Sequence, residues 1–116
     1  MPGAGDALGA WGERHAARWY TAHGFTVVDR NWRAPDRSGE LDLVLARGDL
    51  LVICEVKTRS SAAFGGPAEA VTVRKQQRLR RLAAAWLATH GGGWREVRFD
   101  VAAVRGASIE ILEGAF

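Results

Sequence analysis

The sequence is poor in features that mark secreted and membrane proteins. It holds one cysteine, Cys54, among 116 residues, so no disulfide can form within the chain. No stretch approaches the ~18 uncharged apolar residues that a membrane-spanning helix needs. No basic segment leads into an apolar run at the N-terminus, as a signal peptide would require. These absences lead us to expect a cytoplasmic protein without a membrane partner.

Lysine is also scarce. Of the 16 lysines and arginines, only Lys57 and Lys75 are lysines. In a chain with such an arginine bias, a lysine at position 57 indicates a need for a compact, rotatable ammonium rather than a planar guanidinium. The alternative is that chance alone leaves two lysines.

What the chain does contain is typical of a folded protein with some affinity for polyanions. Apolar residues make up 47% of the sequence, which favours a globular fold over a disordered chain. Its length predicts a single domain over residues 1–116. The formal net charge of +3 and the isoelectric point near 9.7 modestly favour nucleic acids as partners.

Hydrophobic periodicity divides the chain into two helices and five strands. The predicted helices cover residues 6–23 and 67–90, and the predicted strands cover 25–29, 41–47, 50–58, 97–104 and 108–112. Residues 31–38 and 60–67 are predicted loops, and Pro67 is expected to open the second helix.

This order of elements predicts an α/β fold. The first three strands can pair as an antiparallel meander. The second helix can then act as a right-handed crossover that brings the fourth strand parallel to the third. We therefore expect a mixed central sheet flanked by helices, with the first helix close enough for Glu13 to approach the second and third strands.

The second and third predicted strands form an acidic hairpin. Gly-Asp at residues 48–49 is a two-residue hairpin signal, which fixes the pairing of the two strands. Counting outward from this turn places Asp42 opposite Glu55 and Glu40 opposite Lys57. The hairpin therefore brings two carboxylates and an ammonium together on one sheet face.

Facing carboxylates need a neutralising cation. Directly opposed like charges destabilise a sheet, so a fold that accepts Asp42 beside Glu55 usually supplies a metal or a nearby lysine. Mg²⁺ suits the site, because it is commonly held by one or two carboxylates together with substrate phosphates. The alternative is structural: Glu40 and Lys57 form an ordinary ion pair, and Asp42 pairs with a nearby arginine.

The second helix carries a dense group of cations. Arg74, Arg78 and Arg81 form one helical stripe that suits contacts to nucleic-acid phosphates, although a solvated helix face is the common alternative. Lys75 and Gln76 instead continue the apolar stripe of this helix, which predicts that they point inward, toward the hairpin.

Ordered motifs along nearly the whole chain resemble a known family. They are Gly12-Glu13, Arg30-Asn31, Gly39-Glu40-Leu41-Asp42-Leu43, Glu55-Val56-Lys57-Thr58-Arg59, Phe64-Gly65, Glu69-Ala70-Val71, Lys75, Arg98-Phe99-Asp100-Val101 and Ala115-Phe116. Together they are similar to the YraN family of small bacterial proteins, whose proposed activity is endonucleolytic. Glu13, Gly39-Glu40-x-Asp42 and Glu55-Val56-Lys57 also resemble the PD-(D/E)XK nuclease pattern, in the arrangement of archaeal Holliday-junction resolvases. Leu41 stands where the pattern's name has proline, a residue that this superfamily often lacks.

The resemblance implies a restriction-endonuclease-like domain that hydrolyses phosphodiester bonds in DNA, with branched or structured DNA as a candidate substrate. It implies that Asp42 and Glu55 bind Mg²⁺, with Mn²⁺ as a substitute and the Val56 carbonyl as a further ligand. Glu13 would complete the metal site directly or through a water. Lys57 would orient the attacking water or offset charge on the phosphate.

The resemblance also implies supporting roles for residues around the site. Lys75 is the candidate for an auxiliary catalytic residue on the second helix, with Gln76 in reserve. Glu40 would fix the ammonium of Lys57. Asp100 is as well explained by a structural contact with Arg98 as by a role in the site.

Two functions remain open from the sequence, and a purely structural partner in a larger complex is a third and weaker alternative. The first is a metal-dependent endonuclease, acting as a homodimer that presents two sites to a branched duplex. The second is a non-catalytic nucleic-acid-binding or assembly module that retains the nuclease fold.

Overall fold

The computed structural model describes residues 4–59 and 71–116 of the chain. These residues form two helices and five strands, which confirms the predicted mixed α/β fold. The helices are α1 (Ala4–Ala22) and α2 (Val73–His90), and the strands are β1 (Thr26–Arg33), β2 (Glu40–Arg47), β3 (Leu50–Arg59), β4 (Glu96–Arg105) and β5 (Ser108–Leu112). Neither helix in this part of the chain is both long and apolar enough to cross a membrane.

The five strands form one sheet in their order along the chain. β1, β2 and β3 pair as an antiparallel meander, β4 is parallel to β3, and β5 is antiparallel to β4. A parallel neighbour requires a crossover connection, and α2 lies in that connection. The predicted strand order and pairing directions are therefore confirmed.

Each helix covers one face of the sheet, because successive strand residues point to opposite faces. Ala16, Ala17 and Tyr20 of α1 pack with Leu43 and Val52 on one face. The other face packs against α2 in a separate buried cluster that includes Val44, Ile53, Leu79, Leu82 and Trp86. The two clusters fix both helices relative to the hairpin of β2 and β3.

Two element boundaries differ from the sequence prediction by more than two residues. β1 continues to Arg33 instead of ending at residue 29, because it pairs with β2 as far as Arg33 opposite Glu40. A register shift between Val27 and Asp29 accommodates the pairing, so part of the predicted loop at residues 31–38 is strand.

The second boundary is the start of α2. The helix begins at Val73, where the Thr72 side chain accepts a hydrogen bond from the Lys75 backbone N–H at 3.1 Å. Threonine is a favoured N-cap residue because its hydroxyl satisfies an otherwise unpaired N–H of the first turn. The predicted start at Pro67 and the predicted loop at residues 60–67 lie outside the described residues.

Asp100 has a structural role in this fold. It is fully buried in β4 and accepts hydrogen bonds from the Tyr20 hydroxyl (2.7 Å), the Arg98 guanidinium (2.9 and 3.0 Å) and the Gly114 N–H (3.0 Å). These bonds tie α1 and the C-terminal segment to β4, and they satisfy a carboxylate whose burial would otherwise be costly.

Candidate functional site

A cavity of about 410 Å³ lies between α1, the hairpin and α2. Its lining includes most of the charged residues that the sequence predicts as site residues. They are Glu13 of α1, Glu40 and Asp42 of β2, Glu55 of β3, and Lys75 and Arg78 of α2. Val56 also lines it. The fold thus brings side chains from four separate elements to one concave surface.

Asp42 and Glu55 form the acidic centre of this cavity. The paired residues of β2 and β3 run from Arg47 opposite Leu50 to Leu43 opposite Cys54, which is the register predicted from the turn. Beyond Leu43, the Asp42 carboxylate accepts the Val56 backbone N–H at 2.9 Å. The Asp42 side chain therefore accepts a hydrogen bond from the β3 backbone at the point where the two strands line the cavity.

The crowding of these two acids changes the protonation of Asp42. Burial, and after it the adjacent Glu55 carboxyl, raise the pKa of Asp42 from its ordinary 3.8 to about 8, against the lowering effect of the Val56 N–H. The protonated form of Asp42 is therefore favoured when no cation is present. A divalent cation can replace that proton, since it compensates the same charge.

Lys75 supplies a cation to this pair. Its Nζ lies 3.4 Å from Glu55 Oε2, and the Glu55 residue is only 8% exposed. The predicted inward orientation of Lys75 is confirmed. Gln76 instead donates its side-chain N–H to the Val71 carbonyl at 3.2 Å, within the segment that leads into α2.

Glu13 reaches the cavity because α1 approaches β3 closely at Gly12. A Cβ at Gly12 would overlap the Thr58 hydroxyl and lie 3.1 Å from the Thr58 Cβ, so this position has no room for a side chain. Burial raises the pKa of Glu13, and the charges of Glu40 and Glu55 raise it further. Glu13 therefore belongs electrostatically to the acidic centre.

Asn31 is a site residue that the sequence reasoning missed. With its amide nitrogen turned toward Glu13, it donates hydrogen bonds of 3.1 and 3.0 Å to the two carboxylate oxygens. These bonds lower the pKa of Glu13 and oppose the effect of burial. Asn31 has a φ of 49°, a left-handed conformation that asparagine tolerates better than most residues. The place of Asn31 in the Arg30-Asn31 motif was the sequence signal for a role at the site. Its contact with α1 was not predicted, because residues 31–38 were expected to form a loop.

The predicted pair of Glu40 with Lys57 is wrong. Glu40 Oε2 accepts from Arg33 Nε at 3.2 Å, because β1 extends far enough to place Arg33 directly opposite Glu40. Lys57 is half-buried on β3 and forms no ion pair within residues 4–59 and 71–116. By strand alternation it points to the same side of β3 as Glu55.

The three arginines of the predicted stripe are exposed. Arg74, Arg78 and Arg81 all lie on the solvent side of α2, and Arg78 also lines the cavity. A row of guanidinium groups therefore leads along α2 to the edge of the acidic centre.

The donor set fits a small, hard divalent cation. Within the part of the chain that the structure describes, no three histidine, cysteine or carboxylate side chains are grouped closely enough to enclose a metal. Two carboxylates with a neighbouring backbone carbonyl are instead the type of partial site at which Mg²⁺ keeps some water or phosphate ligands. The raised pKa of Asp42 is the second feature that fits, because burial and, after it, the adjacent Glu55 carboxyl disfavour its charged form when no cation is bound.

Comparison with known proteins places this chain in a family. The profile of the uncharacterised protein family UPF0102 matches residues 12–104, a range that includes every cavity residue named above. The chain belongs to the UPF0102 family. This membership confirms the resemblance to the YraN family, and it carries no statement about activity.

Individual UPF0102 proteins are similar over most of their length. One from Beutenbergia cavernae is 65% identical over 99 residues, covering 85% of this chain and 82% of the relative. One from Rhodococcus jostii is 56% identical over 98 residues, covering 84% and 81%. One from Frankia alni is 53% identical over 116 aligned positions, covering 96% and 95%.

Proposed function

We propose that this UPF0102 protein is a metal-dependent endonuclease of the PD-(D/E)XK type, with DNA as its substrate. The single observation that carries the proposal is the Asp42–Glu55 pair in a concave site beside Lys75. A purely structural ion pair balances charges of both signs, whereas four carboxylic side chains line this cavity against two cations, Lys75 and Arg78. The surplus suits a site that receives a cation and a phosphate together.

A divalent cation bound here supplies Lewis-acid activation of a phosphate and of a water. Asp42 and Glu55 would hold Mg²⁺, or Mn²⁺ in its place, through carboxylate oxygens, with the Val56 carbonyl as a further ligand. Glu13 would complete the site directly or through a water.

The cationic side chains act on the phosphate and on the acids. Lys57 orients the attacking water or offsets charge that develops on the phosphate. Lys75 acts as the auxiliary residue, since its ammonium already contacts Glu55 and can neutralise that carboxylate as substrate enters. Glu40 lies at the rim of the cavity with Arg33 and has no part in holding Lys57.

Nucleic acid is the favoured substrate class because an exposed row of arginines adjoins the cavity, and the resemblance to PD-(D/E)XK nucleases is the reason for proposing DNA. Arg74, Arg78 and Arg81 can contact backbone phosphates without reading sequence. A two-fold dimer would present two such sites, which suits branched or structured DNA.

Cleavage of a labelled DNA panel tests the proposal. The panel contains duplex, flap, four-way junction and single strand, each incubated with Mg²⁺, Mn²⁺ or EDTA. We expect metal-dependent cutting by the wild type and its loss in Asp42→Ala and Lys57→Ala. Asp49→Ala is the matched control, because Asp49 is an exposed turn residue outside the cavity. Cutting that survives Asp42→Ala would contradict the assignment of the site.

One observation favours a second function, a nucleic-acid-binding module without catalysis. Lys75 is paired with Glu55, so a side chain of the protein itself already neutralises part of the site. Binding of DNA by the wild type without cleavage of any panel member would favour this alternative over the endonuclease.

A further inference from the structure

A second cavity adjoins the acidic one. It has a volume of about 550 Å³ and is lined by Arg33, Ala34, Arg37, Gly39 and Glu40. Gly39 and Glu40 line both cavities. The two therefore meet along one side of the molecule, and the second adds Arg33 and Arg37 beside the shared Glu40.

Backbone hydrogen bonds hold the loop that carries these arginines in a defined shape. The Ala34 N–H donates to the Gly39 carbonyl at 3.0 Å, and the Arg37 N–H donates to the Ala34 carbonyl at 2.9 Å. Ala34 is only 6% exposed and belongs to the core cluster beneath α2. Arg37 is consequently presented from a fixed turn anchored to the core.

The backbone conformation of Arg37 is unusual for its residue type. Its φ of 63° lies in the left-handed region, which glycine and asparagine occupy far more readily. Residues held in such conformations cluster at functional sites, because the surrounding structure must maintain them. The fold therefore holds an arginine in a conformation that glycine would adopt with less strain.

The arginines of the second cavity have unused hydrogen-bonding capacity. Arg37 is exposed and forms no ion pair with any residue in the ranges 4–59 and 71–116. Arg33 is 84% exposed and uses Nε for Glu40, which leaves its terminal N–H groups available. A guanidinium presents five donors in a planar fork that matches phosphate oxygens.

A third guanidinium lies at the junction of the cavities. A Cβ added at Gly39 would lie 3.5 Å from the Arg78 Cδ and 3.1 Å from a Leu82 methyl group. Gly39, with a φ of 151°, therefore lets α2 pack directly over the junction and brings Arg78 beside it.

We propose that Arg33 and Arg37 form a phosphate-binding subsite for the nucleic-acid strand whose scissile phosphate lies at Asp42 and Glu55. This inference rests on the proposed function and specifies how the substrate is positioned. The strand crosses the Gly39–Glu40 junction, with one backbone phosphate in the acidic cavity and a flanking phosphate at the two arginines. Contacts of this kind fix register without reading sequence.

The test is DNA binding in EDTA, measured by fluorescence anisotropy on a labelled duplex over a series of salt concentrations. Each duplex phosphate contact contributes about −0.9 to the slope of log K against log salt. We expect the Arg33→Ala/Arg37→Ala protein to lose about 1.8 units of slope. The control is Arg18→Ala/Arg95→Ala, which removes the same net charge from exposed positions outside both cavities. Equal slopes in the two double variants would overturn the subsite.

Arg37→Gly separates binding from folding. Glycine accepts the φ of 63° without strain, so we expect an unchanged or higher midpoint of thermal unfolding together with about half the loss of slope. Wild-type slope in this variant would overturn the role of Arg37.

Failure of the subsite and failure of the endonuclease give different results. Binding is measured without metal, so it does not depend on cleavage. A wild-type protein that binds DNA but never cuts it contradicts the endonuclease proposal. The comparison of salt-dependence slopes between the two double variants still tests the subsite. A wild type that shows no DNA binding in EDTA overturns the subsite directly.

Discussion

Replacement of Gly12 by alanine should destabilise the protein, although the same replacement in a helix usually stabilises it. Glycine in a helix interior costs roughly 0.5–1 kcal/mol relative to alanine. At Gly12, however, the new Cβ would overlap the Thr58 hydroxyl and lie 3.1 and 3.2 Å from the Thr58 Cβ and Cγ2. Rotation of the Thr58 side chain moves its hydroxyl and methyl groups but leaves its Cβ in place, so the 3.1 Å contact remains unless α1 moves away from β3.

The magnitude follows from two opposing effects. Overpacking of a well-packed site costs about 1–3 kcal/mol. Subtracting the helix-propensity gain leaves a net loss of up to ~2.5 kcal/mol for Gly12→Ala, with a central value of ~1 kcal/mol. Gly9 of the same helix has no neighbouring atom within 4 Å of the position that a Cβ would occupy, so Gly9→Ala should gain ~0.5–1 kcal/mol.

Urea unfolding followed by tryptophan fluorescence measures both variants, since the chain contains five tryptophans. The two chemically identical substitutions should differ in free energy of unfolding by ~2 kcal/mol. If Gly12→Ala is as stable as Gly9→Ala, α1 does not approach β3 as closely at Gly12 as the structure has it. The position assigned to Glu13 would then be wrong as well.

Three further predictions concern the buried charges. The pKa of Asp42 is about 8 in the folded protein against an ordinary 3.8, so between these values the folded chain keeps a proton that the unfolded chain releases. The contribution of Asp42 to the free energy of unfolding is therefore fully present below pH 4 and is lost as the pH rises toward 8. Asp42→Asn in EDTA should therefore raise the unfolding free energy by ~2–4 kcal/mol at pH 8 and by little at pH 4; an equal effect at both values refutes this. Lys75→Met should cost ~1–2 kcal/mol at pH 8 and less in the Asp42→Asn background, and strict additivity in this double-mutant cycle would show that the charges are not coupled. Tyr20→Phe removes a 2.7 Å buried bond to Asp100 and should cost ~1.5–3 kcal/mol in urea unfolding, whereas a neutral effect would mean that the bond contributes nothing.

The fold was largely predictable from local signals. The Gly-Asp turn at residues 48–49 fixes the register of β2 and β3, and strand pairing in the structure follows that register to Leu43 and Cys54. The position of α2 between β3 and β4 predicts the parallel pair, because a parallel connection requires a crossover.

The rest of the site depends on contacts between distant segments. The pairing of Arg33 with Glu40 and the contact of Asn31 with Glu13 both require β1 to continue past residue 29, and a polar segment before Pro35 gave no sign of a strand. Gly12 was recognised only as part of a motif, because its close contact with Thr58 is a property of packing.

Titration calorimetry with Mg²⁺ tests the central claim most directly. The wild type and Asp42→Ala are compared at pH 8, with Asp49→Ala as the control for loss of one carboxylate. We predict that the wild type and the control bind the cation and that Asp42→Ala does not, while circular dichroism shows all three proteins folded. Unchanged Mg²⁺ affinity in Asp42→Ala would contradict the assignment of Asp42 and Glu55 as the metal site.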